Sequence, residues 1–141
     1  MKQLHSYWAY LVVIVLIAAV INAMIGLASN KEFKSKDLRL GLFTLIFSHI
    51  QFLIGLGWYF MSPVYKTMKV AGMGTIMKNA QLRLIAVEHP LAMILAIVLI
   101  TVGWSKHKKQ TSDAAKFKTF TIFYGAALLL VLSRIPWSNW F

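Results

Sequence analysis

Four long apolar runs, separated by short polar links, limit what this chain can fold into more than any other feature. They extend over about Tyr7–Leu27, Leu40–Phe60, Leu82–Trp104 (starting up to a turn earlier, near residue 80) and Phe117–Ile135, and Leu11–Val20 holds no polar side chain. Each is close to the roughly 20 residues a helix needs to cross the hydrocarbon core of a bilayer. With no water there to satisfy peptide groups, each run must be helical. Four such runs with short links predict an all-α, antiparallel up-down four-helix bundle forming one integral membrane domain. The first run resembles a signal peptide in its Lys2 and in Ala28–Ser29. It is longer than the usual apolar core of about 7–15 residues, and is read as a retained helix.

Composition agrees. The 141 residues are 59% hydrophobic and 13% charged, with a mean hydropathy of +0.67. Soluble domains carry about 25% charged residues. The 13% aromatic content excludes a disordered chain. Without cysteine there is no disulfide, thiolate metal site or thiol nucleophile.

The net charge of +11 would suggest nucleic acid in a soluble protein, but here the cations sit in clusters between apolar runs. The links 28–39 and 105–118 hold Lys31, Lys34, Lys36, Arg39, Lys106, Lys108, Lys109, Lys116 and Lys118. The opposite side has Lys2, Lys66, Lys69, Lys78, Arg83 and Arg134. The positive-inside rule places the richer side in the cytoplasm and both termini outside. Nucleic acid is not an expected partner; the bilayer is. Tyr7, Trp8, Tyr10, Trp58, Tyr59, Phe60, Trp137 and Trp140 cluster at run ends on the outer side, and Trp104 marks an inner end, as an interfacial belt would. The outer link Met61–Gln81 is expected to break at Pro63, Gly72 and Gly74 and to lie partly among headgroups.

Polar residues within the apolar runs are costly and mark candidate sites. They are His49 with Ser48 and Gln51, Glu88 and His89 before Pro90, His5 near the start of the first helix, and Arg134 near the end of the fourth. Counted from the outer helix ends, His49 lies about 16 Å deep and His89 about 10–15 Å deep, on consecutive antiparallel helices. The match predicts a metal between them, with a bis-imidazole haem iron as the candidate. His5 is the reserve partner for His89, with interfacial anchoring as its simpler role. Small residues around His89 (Ala86, Ala92, Ala96, Gly103) and on the second helix (Gly55, Gly57) leave room for a macrocycle or serve helix packing. Pro90 is expected to kink the helix beside His89, either for packing alone or to free the Ala86 carbonyl for a histidine N–H. Glu88 has three uses: an ion pair with Arg83 or Arg134, a protonated buried acid, or a proton path to a quinone-like substrate, with Gln51 a further polar neighbour. Arg83, Lys78 and Arg134 are candidates for binding haem propionates, or simply snorkel. His107, in Lys-His-Lys-Lys, is expected in solvent. Met61, Met68, Met73 and Met77 lack a regular spacing for Cu(I).

No catalytic template appears. Gly72-Met73-Gly74 is not a nucleotide loop, Gly-x-Ser-x-Gly and His-Glu-x-x-His are absent, and an electron carrier or a subunit is expected rather than a stand-alone enzyme.

Taken together, His5-Ser6, Phe47-Ser48-His49-Ile50-Gln51, Val87-Glu88-His89-Pro90-Leu91 and Ile135-Pro136-Trp137 resemble the small bacterial four-helix integral membrane proteins of the cytochrome-b-like kind, over nearly the whole chain. The resemblance implies a b-type haem bundle in the bacterial cytoplasmic membrane, with His49 and His89 as axial ligands and His5 in reserve. Two-haem membrane cytochromes carry two histidine pairs; this chain offers one, so one haem is implied. The expected function is electron transfer between a quinol pool and an outer partner. The competing expectation is a cofactor-free subunit or assembly partner of a larger membrane complex, and transport is a weaker third.

Overall fold

A computed structural model describes residues 2–136; Trp137 and Trp140, expected in the aromatic belt, lie outside the described residues. The fold is all-α. In chain order come α1 (Lys2–Ala28), α2 (Ser35–Met61), the short α3 (Pro63–Ala71) and α4 (Met73–Lys78), then α5 (Ala80–Arg83), a π-helical turn (Leu84–Glu88) and α6 (His89–Lys108), and finally α7 (Asp113–Arg134). From Ala80 to Lys108 the chain is one continuous rod. With α1, α2 and α7 it makes four antiparallel helices long and apolar enough to cross a membrane.

These helices outrun the apolar stretches that announce them. A 27-residue helix such as α2 is about 40 Å long, against a hydrocarbon core of about 30 Å. The extra turns carry charge and polar caps into the headgroup layer. α2 opens at Ser35 because Asp37 Oδ2 accepts the backbone N–H of Lys34 (2.9 Å), while its Oδ1 accepts the Asn22 amide of α1 (2.7 Å). Ser112 caps α7 by accepting the Ala115 N–H. At the other end of α2, Ser62 donates to the Tyr59 carbonyl (2.6 Å) and accepts the Tyr65 N–H, closing one helix and opening the next. Pro63 takes the first position of α3, where no N–H is needed. The next break is at Gly72 alone, whose φ of +87° suits glycine. Gly74, expected to interrupt the link too, lies inside α4.

α1 packs on α2, the rod on α7, and the two hairpins join chiefly along α1 and α7, with a thinner contact between α2 and α6. The core lies toward the end that carries the two basic links, called here the link end. Leu16, Ala19, Val20 and Ala23 meet Ala96 and Ile100 of α6 and Phe117, Phe120, Tyr124 and Ala127 of α7. The buried Tyr124 hydroxyl crosses the bundle to donate to the Gly41 carbonyl (2.9 Å). Phe33 folds back from the first link to stack on Phe120 and meet Phe117 edge-on. His107 is 2% exposed, between Phe33, Trp104 and Phe120, and donates through Nδ1 to the Trp104 carbonyl. It is therefore not in solvent; α6 runs on past Trp104, and its last turn points the ring inward.

The small residues of α6 are part of this packing. Ala96 is in the core, and Gly103 takes Phe123 so closely that a Cβ there would stand 2.6 Å from the Phe123 Cβ. Likewise a Cβ on Gly26 would lie 2.5 Å from the Phe117 ring, whereas Gly125 has nothing within 4 Å. Gly26→Val is therefore expected to cost about 1–3 kcal/mol through overpacking. Gly125→Ala should leave stability unchanged or raise it by about 0.5–1 kcal/mol. Thermal unfolding of both variants in one detergent checks this, and equal shifts would contradict the packing described.

Candidate functional site

The site lies at the opposite, terminal end of the bundle and begins with a missing donor. Pro90 has no N–H for the Ala86 carbonyl. The helix responds by widening: the His89 N–H bonds to the Leu84 carbonyl five residues back, in the π-turn. The Ala86 carbonyl accepts the Tyr59 hydroxyl of α2 instead (2.8 Å). The freed acceptor foreseen beside Pro90 thus exists, and a tyrosine fills it where a histidine was expected. The wider turn also brings residues five apart together. Arg83 Nε meets Glu88 Oε2 at 3.1 Å, the ion pair that was the simplest expectation for Glu88. The Arg83 guanidinium also donates to the Met77 carbonyl, which ties the rod to α4.

His89 follows the π-turn. Its Nδ1–H donates to the Arg134 carbonyl (2.8 Å). That carbonyl is one of the last four of α7, which have no partner within their own helix. The bond fixes the tautomer and leaves Nε2 with its lone pair. Across from it stands His5 of α1: the two ring centroids are 6.3 Å apart and the planes perpendicular. Gln51 of α2 holds His5, its Nε2 donating to the His5 carbonyl (2.9 Å) and to the ring Nδ1 (3.0 Å). Gln51 Oε1 is buried without a partner. Gly55 gives the ring its space, since a Cβ there would stand 3.2 Å from His5 Cε1.

His49 is elsewhere. Its Nδ1–H donates to the Leu45 carbonyl (2.7 Å), and its Nε2 lies 3.4 Å from the Thr101 hydroxyl of α6. Thr101 is about 18 Å along the helix from His89, at 1.5 Å per residue. The structure therefore brings His89 together with His5, not with His49. The depth match assumed that α2 and the rod end at one level. The Tyr59–Ala86 bond shows instead that the rod starts about 9 Å beyond Tyr59. Every rod residue is consequently shallower on α2's scale than a count from a common end suggested: His89 lies only about 4.5 Å below the level of Tyr59. Arg134 is exposed; its guanidinium donates to the Ser133 carbonyl, and its main chain holds His89.

The donor set bears on what can bind. Among the described residues no three His, Asp or Glu side chains gather as a metal cluster. Two imidazoles alone do not complete a four-coordinate site of the zinc kind. They do suit a metal whose remaining positions are filled by a planar macrocycle. Two rings on opposite sides of one ion, each bonded at about 2 Å, would stand with centroids about 6 Å apart, against the 6.3 Å observed. Comparison with protein-family models, curated proteins and solved structures finds no match. What the fold defines is a protein with four candidate membrane spans.

Tyr59 joined the site unseen, because its position marks it equally well as a belt residue. Replacing it tests the origin of the π-turn. Tyr59→Phe should cost about 1 kcal/mol, the worth of one hydrogen bond. In a Pro90→Ala background, where residue 90 regains an N–H for the Ala86 carbonyl, the same change should cost close to nothing. A double-mutant cycle on detergent unfolding measures the coupling; additive costs would detach Tyr59 from Pro90.

Proposed function

We propose that this chain is a single-haem b-type electron-transfer protein of a bacterial cytoplasmic membrane, with His5 and His89 as the axial pair. The observation that carries the reading is the His5–His89 contact: two perpendicular imidazoles 6.3 Å apart on different helices. The bound haem supplies reversible one-electron chemistry. The chain's own part is orientation. The Arg134 carbonyl keeps the proton of His89 on Nδ1, so that Nε2 remains a donor to metal. For His5 to ligate through Nε2, Gln51 must turn its amide so that Oε1, now without a partner, accepts the Nδ1–H. Gly55 admits the His5 ring. Arg134, exposed and beside the pair through its main chain, is the better cation for a propionate; Arg83 is engaged by Glu88 and the Met77 carbonyl. Electrons would pass between a membrane quinol pool and a partner on the side of the termini, placed outside the cytoplasm by the positive-inside rule.

A second reading has an observation of its own. As they stand, both rings are engaged by protein: Gln51 donates to His5 Nδ1, which leaves the His5 proton on Nε2, and His89 donates to Arg134. Such bonds join α1 to α2 and α6 to α7 without a cofactor, as a subunit of a larger membrane complex would need.

Reduced-minus-oxidised spectra of the detergent-solubilised protein, expressed with haem supplied, separate the two. The first reading expects b-type bands that are lost in His5→Ala and in His89→Ala and kept in His49→Ala. Absence of the bands, together with co-purification of a stable partner, favours the subunit. Bands that depend on His49 but not on His5 would refute the ligand assignment.

A further inference from the structure

At the link end, far from the histidine pair, a groove of about 670 Å³ runs along the outside of the α1–α2 hairpin. Ala18, Ile21 and Ile25 of α1 form one wall and Phe43 of α2 the other, and Lys36 and Arg39 stand at its mouth. All six are exposed, as a lipid-facing groove requires. Lys36 and Arg39 are three residues apart in the first turns of α2, on one helix face. Because α2 is longer than the hydrocarbon is thick, this end reaches headgroup level. The nearby acid does not offset them. Asp37 is buried, with its oxygens held by the Asn22 amide and the Lys34 N–H, so it turns inward while the two cations face out. Asp37 also caps the end of α2, which leaves an anion to be recognised by side chains rather than by free backbone amides.

We propose that this groove is a binding site for one anionic phospholipid, with the phosphate between Lys36 and Arg39 and an acyl chain along Ala18, Ile21, Ile25 and Phe43. Apolar walls alone take any lipid tail. The paired cations at headgroup depth select the charge, as basic pockets between membrane helices do. The low wall at Ala18 leaves the lower groove open to the chain.

Native mass spectrometry of the full-length, detergent-solubilised protein tests this with dioleoyl phosphatidylglycerol against dioleoyl phosphatidylcholine. The phosphatidylglycerol adduct should be favoured by about tenfold or more at equal concentration. Lys36→Gln combined with Arg39→Gln should bring the two lipids to parity, with thermal unfolding unchanged because both side chains are exposed. Lys66→Gln combined with Lys69→Gln, at the other end, should leave the preference intact. Ala18→Trp should weaken the adduct with both cations present. Equal binding of the two lipids by the parent chain overturns the proposal, as does a preference that survives loss of Lys36 and Arg39. Displacement of the lipid by inorganic phosphate alone would also overturn it, by reducing the site to a bare anion contact.

Discussion

A single missing hydrogen arranges the terminal half of this bundle. Where water is absent, a carbonyl without a donor is expensive, and Pro90 creates one at Ala86. Two adjustments answer it. The helix widens into a π-turn, and α2 supplies the Tyr59 hydroxyl. The rest of the region follows from these. The wider turn pairs Arg83 with Glu88 and so neutralises the one carboxylate in the third span. It also sets the rotation at which His89 leaves the helix, and the same shift in register moves His89 away from the level of His49 and up to that of His5.

The link end is built on different physics. Inside its charged rim, rings fill the interior: Phe33, Trp104, His107, Phe117, Phe120 and Tyr124 form one contiguous cluster. Phe33 joins the cluster from outside the helices. It lies in a link of high positive charge, yet its partly buried ring packs against the core. Glycines at positions 26, 41 and 103 let helices and rings approach closely enough for the cluster to close. One end of the molecule is thus closed by an aromatic cluster, while the other is organised around the polar contacts of Arg83, Glu88, His89, His5 and Gln51.

The fold was legible in the sequence because lipid leaves a chain few options. An apolar run of about 20 residues has only one way to satisfy its backbone, so four runs gave four helices in an antiparallel order. Their ends were less legible, since charged first and last turns such as Ser35–Arg39 look like loop until the Asp37 cap is seen. The polar residues of the terminal end were legible, but not which of them meet. His5, His89, Gln51 and Glu88 stood out as polar residues in apolar surroundings, and Arg83 was one of two arginines open to Glu88. Pairing His89 with a partner needed the vertical offset between two helices. That offset is set by the Tyr59–Ala86 bond and by how far the rod rises past α2, and neither leaves a mark in hydropathy. His107 misled for a related reason: its lysine neighbours describe the helix surface, not the face it turns inward.

The two-hairpin layout has a consequence for biogenesis. α1 packs on α2 and α6 on α7, and the two hairpins then join chiefly along α1 and α7, with a thinner seam between α2 and α6. A nascent chain can therefore seat its first hairpin before the second has left the ribosome. At that moment His5 is already held by Gln51, while its counterpart is still being translated. The imidazole pair comes into being only at the last docking step, so only a fully assembled protein presents both rings, and a truncated or half-inserted chain presents one.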